Sequence, residues 1–190
     1  VPWANTTRGN AQGVHFHVNP DLELHDFLND WTAQHEISHL SIPFVGKSNS
    51  WFSEGYATFM QYQVMINQGV FSIQEIETKY LDRLAKCKPM YASNSPFIVV
   101  SDSLKKSWHY ADMYWGGVSF FWKLNKEYAN SKNVSLVEIV KTYETCCREN
   151  RSTPKDFCSV LDSISNSSSA SDLLFEYQNK SAKSLFDEFR

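Results

Sequence analysis

Through most of the chain, apolar residues recur at steps of three and four, the spacing of one buried helix face. Leu28, Trp31, His35, His39 and Ile42 fall on one such stripe, so Asp26 to Ile42 reads as a helix with Asp26 as N-cap and Pro43 as its stop. Trp51 to Gln68 reads as a second helix, closed by Gly69. Ser72-Ile73-Gln74-Glu75 is a capping box opening a third helix, to about Cys87. Lys88 to Lys106 carries Pro89, Pro96 and only a short apolar run, Phe97 to Val100, and reads as a loop. His109 to Gly117 then leads into an apolar helix, Val118 to Tyr128. A second capping box, Ser135-Leu136-Val137-Glu138, starts a helix to about Arg148. Pro154 stands at the first position of another, to about Ile164. Ser163 to Ser171 is serine-rich and reads as a flexible turn, before short closing helices at Asp172–Tyr177 and Ser181–Phe189.

Period-two alternation is confined to Val14-His15-Phe16-His17-Val18, a strand ended by Asn19-Pro20 with His15 and His17 on one side. The pattern therefore predicts one mainly α domain with a small N-terminal β region.

Composition narrows the class. A net charge of −3 and a pI near 6.1 give no electrostatic case for nucleic acid. No apolar run approaches the ~18 residues that a membrane span needs. Aromatic content of 15% is high and points to a core and cleft rich in flat rings. Cys87, Cys146, Cys147 and Cys158 make neither a disulfide framework nor a CxxC metal site. Cys147 and Cys158 either pair, if the chain is extracytoplasmic, or are free buried thiols. The compartment stays open, with a periplasmic or secreted setting favoured. The chain opens on Val1 and has no basic-then-apolar leader, so it reads as a processed protein or a piece of a longer one.

The chemistry gathers at His35-Glu36-Ile37-Ser38-His39, an H-E-x-x-H motif. On a helix, residues four apart share a face, so His35 and His39 can aim ring nitrogens at one zinc ion, with Glu36 placed to take a proton from water. At this chain's His and Glu frequencies, chance gives the pattern about once in a hundred such sequences. A site of this kind needs a third ligand, and Glu54, 15 residues past His39 inside Trp51-Phe52-Ser53-Glu54-Gly55-Tyr56-Ala57, stands early in the next helix. The competing reading is two core histidines bonded to carbonyls and an acid complementing a helix dipole.

HEISH followed by WFSEGYA resembles the gluzincin metallopeptidases, in particular the aminopeptidase N and leukotriene hydrolase family and the glycyl aminopeptidases. The gap between the motifs is a few residues shorter than in the aminopeptidase N family. The resemblance implies a thermolysin-like catalytic domain, one zinc ion held by His35, His39 and Glu54, and Glu36 as general base. It divides the chain into a substrate-edge strand region (1–20), a zinc-site core (21–130) and a helical C-terminal part (131–190). It also implies flanking domains in a longer parent chain and a peptide or small-amide substrate.

That family carries Y-x-x-G beyond its Glu ligand, and Tyr114 with Gly117 fits, which implies a phenol donor to the reacting carbonyl. The family's amine-binding Glu falls, counted back without gaps, on Ala11, so the usual anchor for a free N-terminus is missing. Gln12, Gly13, His15 and His109 are the remaining candidate substrate contacts. The expected activity is zinc-dependent peptide-bond hydrolysis. A catalytically silent binding module and a zinc hydrolase of a small amide, ester or epoxide are the alternatives.

Overall fold

The computed structural model, which describes residues 3–8, 12–28 and 30–189, is mainly helical with a two-stranded antiparallel sheet at its N-terminus. The sheet pairs β1 (Trp3–Arg8) with β2 (Gln12–His17), Ala4 opposite Phe16 and Thr6 opposite Val14. The alternation found β2, although Val18 lies beyond its end. It missed β1, a mostly polar strand in which Ala4 alone is buried.

Two long helices form the centre: α3 (Ser50–Asn67) and α6 (Tyr110–Lys132). Their backbones nearly touch. A Cβ on Gly55 would stand 2.3 Å from the Gly117 carbonyl carbon, and one on Gly117 would stand 2.0 Å from the Trp51 carbonyl oxygen. Only glycine on both helices allows that approach. Around the crossing, Trp51, Phe52, Tyr56, Phe120 and Phe121 are buried in mostly edge-to-face contacts. α6 is thus longer than the predicted Val118–Tyr128. It takes in Tyr114 and both glycines and ends at Asn133, in the left-handed region at φ 53°.

The predicted helix from Asp26 to Ile42 is instead two, α1 (Leu24–Leu28) and α2 (Thr32–Ser38), the second continued by a 3-10 turn at His39–Ser41. Asp26 is not the N-cap; it sits inside α1 and its carboxylate accepts the Glu23 amide at 3.1 Å. The break has a local cause, because the Asp30 carboxylate accepts the Thr32 amide at 2.6 Å, a bond that competes with helix. The turn ends where Ile42 becomes extended before Pro43, as a residue preceding proline prefers. Trp31 is exposed and leaves the predicted stripe, while Ile42 keeps its buried place on it.

α4 (Ile73–Cys87) begins at the predicted capping box, with both reciprocal bonds made. The predicted loop from Lys88 to Lys106 is a 3-10 turn at Lys88–Tyr91 followed by the helix α5 (Phe97–Lys106). Phe97, Val100, Ser101 and Leu104 are its buried face, so burial at helical spacing overrides the strand propensity of Phe97-Ile98-Val99-Val100.

The second capping box opens α7 (Leu136–Cys146), and Thr153 caps α8 (Pro154–Ser165) with Pro154 first. The serine-rich stretch is not a flexible turn. Ser163–Ser165 finish α8, Ser169–Ser171 begin α9 (Ser169–Asn179), and the buried Asp162 carboxylate accepts the Ala170 and Ser171 amides at 2.8 and 2.9 Å. The closing helix α10 (Ala182–Asp187) brings Phe186 flat against Tyr91, ring centres 4.2 Å apart. Cys146 pairs with its neighbour Cys147, so the Cys147–Cys158 alternative is overturned; Cys158 and Cys87 are the free buried thiols. Among the described residues no helix is long and apolar enough to cross a membrane.

Candidate metal centre

His35 lies in α2 and His39 opens the following 3-10 turn, yet the His39 amide still donates to the His35 carbonyl. The change of helix type therefore leaves the pair one turn apart, both rings buried. Glu54 comes from the first turns of α3 and completes the group. Its Oε2 is 3.2 Å from His35 Nε2 and 3.4 Å from His39 Nε2. One ligand atom from each of the three lies within 4.8 Å of the others, so the group can hold a metal ion.

The outward ring nitrogens are also engaged. His35 Nδ1 is 3.3 Å from Gln61 Oε1, and His39 Nδ1 is 3.2 Å from Ser53 Oγ. With Nδ1 engaged outward, Nε2 of each ring is the nitrogen that faces Glu54. Gln61 was not singled out from the sequence, though a clue was present: it stands seven residues after Glu54, on the same face of α3. Ser53 gave no signal beyond its place beside Glu54.

Charge is arranged to suit a cation. Burial pushes the Glu54 carboxyl up, but hydrogen bonds from His35 and His39 outweigh it and hold Glu54 well below the usual carboxylate range. Two imidazoles and an ionised carboxylate are the donor set of a divalent borderline metal.

Glu36 and Tyr114 line the same cleft, of about 580 Å³, with His39, Glu54, Thr6 and Arg151. Thr6 Oγ1 lies 2.8 Å from both the carbonyl oxygen and Oε2 of Glu36, tying β1 to α2. The Arg8 guanidinium donates to the carbonyls of His39 and Ile42, a second tie. The Tyr114 ring stacks on His35, centres 6.0 Å apart at 14°. Burial, then the Glu54 and Glu36 carboxylates, push its phenol far above the usual tyrosine value, so it stays a hydrogen-bond donor.

The remaining candidates stand elsewhere. β1, not β2, borders the cleft, and none of Gln12, Gly13, His15 and His109 lines it. The Gln12 side chain bonds Asn150 and Arg148, the Gly13 carbonyl accepts Thr7 Oγ1, and His15 is exposed. His109 precedes α6, its Nδ1 3.4 Å from Asp112 Oδ2. The amine-binding motif falls on Gly9 to Gln12, of which Gly9 to Ala11 lie outside the described residues, Ala11 among them. Comparison with protein-family models, with curated proteins and with solved structures gives no match to this chain.

Proposed function

We propose that this chain is a zinc-dependent peptidase with a gluzincin, thermolysin-like catalytic fold. The observation that carries the reading is the meeting of His35, His39 and Glu54, with Glu36 and Tyr114 on the same cleft. The three side chains fit zinc: Gln61 and Ser53 engage the Nδ1 atoms, both Nε2 atoms face Glu54, and its carboxylate is ionised. Bound there, zinc supplies a Lewis acid that acidifies water and polarises a carbonyl. Glu36, held by Thr6, accepts the proton of the attacking water at its carboxylate and returns it to the leaving amine. Tyr114, protonated at any working pH, donates a hydrogen bond to the oxyanion of the tetrahedral intermediate.

Metal analysis and peptide hydrolysis on the same variants test the reading. The wild type should carry about one zinc per chain, and His35→Ala or His39→Ala should lose it. Glu36→Gln should keep the metal while turnover falls by about 100- to 10,000-fold. Near wild-type turnover in Glu36→Gln would remove the general base from the mechanism. A zinc-loaded wild type that cleaves no peptide would leave the silent binding module or the small-molecule hydrolase.

A further inference from the structure

Tyr114 and Gln61 also border a second pocket, of about 360 Å³, that includes no residue of β1. Its walls are aromatic, from Trp31, Tyr62, Tyr110 and Trp115. At its edge stands Arg83 of α4, guanidinium 5.9 Å from the Trp115 ring centre. Arg83 has no carboxylate within salt-bridge distance among the described residues, and Asp82, next to it in the chain, pairs with Lys86 at 2.7 Å. Lys79, one turn earlier, lies over the Tyr62 ring at 5.2 Å and adds a second positive charge. Thr58, 6% exposed, lines the cavity beside these rings.

We propose that this pocket receives the C-terminal residue of the substrate, an aromatic one, with Arg83 pairing its free α-carboxylate. The assignment rests on the peptidase reading and extends it. The rings take up the side chain, so the anion that meets Arg83 is the main-chain carboxylate and not an acidic side chain. A residue with a free carboxylate can be released only through its amine, which fixes the direction of cleavage. Water adds to the preceding carbonyl, the C–N bond breaks, and the proton from that water goes to the departing amine. Short peptides ending in Phe, Tyr or Trp are then the preferred substrates.

Calorimetry on the metal-free protein separates the pocket from catalysis. N-acetylphenylalanine should bind about tenfold more tightly than N-acetylphenylalaninamide, as for a partly exposed charge-assisted pair, and Arg83→Gln should abolish the difference. Equal binding of acid and amide by the wild type, or a preference that survives Arg83→Gln, overturns the assignment. The zinc-loaded protein is then offered one peptide ending in Phe as acid and as amide. Faster cleavage of the acid, lost in Arg83→Gln, supports both readings. Hydrolysis indifferent to the carboxylate sinks the pocket and spares the peptidase, whereas a binding preference without hydrolysis does the reverse.

Discussion

Glu54 and Tyr114 stand on two long helices whose backbones meet at Gly55 and Gly117, whereas His35, Glu36 and His39 stand on a seven-residue helix and the turn after it. The first pair is placed by a close-packed aromatic core, with Phe52, Tyr56, Phe120 and Phe121 wholly buried. The second group packs its buried face on α3 and is completed by a handful of polar ties: Thr6 to Glu36, Arg8 to the His39 carbonyl, and Gln61 and Ser53 to the rings. Packing resists displacement from every side, while a hydrogen bond resists it along one line and contributes about 1 kcal/mol. One wall of the cleft is therefore set by the core of the fold, and the other in larger part by these polar ties. Substitutions on the two walls should differ in kind, with the core wall trading stability and the polar wall trading function.

On the core wall, Tyr114→Phe gives the largest expected effect and marks the exception. It keeps the ring on His35 and removes one hydroxyl. On the proposed mechanism turnover falls by about 100- to 1000-fold, roughly 3–4 kcal/mol, while KM changes little because the bond forms mainly in the transition state. Melting temperature should stay near the wild type. A destabilised but fully active Tyr114→Phe would make the hydroxyl structural and end its catalytic assignment.

Gly117→Ala comes next. The new Cβ would meet the Trp51 carbonyl and the Gly55 Cα, both backbone, so no rotamer change relieves the clash. α6 must move away from α3, and overpacking of this kind costs about 1–3 kcal/mol. Tyr114 lies three residues before Gly117 and Glu54 directly before Gly55, so the same movement separates two residues of the site. Denaturant unfolding should show the stability loss, with zinc affinity and turnover falling together. A variant as stable as the wild type would mean that the helices do not need the close crossing.

The sequence was most legible where one short-range rule decides the outcome. Ser72–Glu75 and Ser135–Glu138 each announce a helix start through two reciprocal bonds, and both are made. The i, i+4 spacing of His35 and His39, with Glu54 early in the following helix, places all three at one point. It was least legible where tertiary contact decides. β1 is polar and becomes a strand only because β2 and α2 lie beside it. Phe97 to Val100 has strand-like residues, and only the core contacts of Phe97, Val100 and Leu104 make it helical. Gly116 and Gly117 fell outside the predicted Val118–Tyr128 helix, because the sequence does not reveal that a second helix needs the space. Gln61 escaped notice for a related reason: its role depends on a ring nitrogen 26 residues away in sequence.

Thr6→Val gives the smallest effect and probes the polar wall alone. Valine keeps the β-branched shape that suits a strand and removes only the hydroxyl that reaches Glu36. Thr6 is half-buried, so water can replace part of the lost bond, and the stability cost should be no more than about 1 kcal/mol. Glu36 then loses the contact that orients its carboxylate, and turnover should fall by about fivefold, the kinetic equivalent of about 1 kcal/mol. KM should change little, since Thr6 acts through Glu36 and not on the substrate. Thr6→Ser restores the hydroxyl and should restore turnover, which a general disturbance of the strand would not allow. Hydrogen exchange adds a structural readout, because loss of the β1–α2 tie should speed exchange at the α2 amides and leave α3 unchanged. If Thr6→Val instead slowed turnover and loosened α3 to the same degree as α2, the two walls would be one cooperative unit, and the contrast between a packed wall and a tethered one would fail.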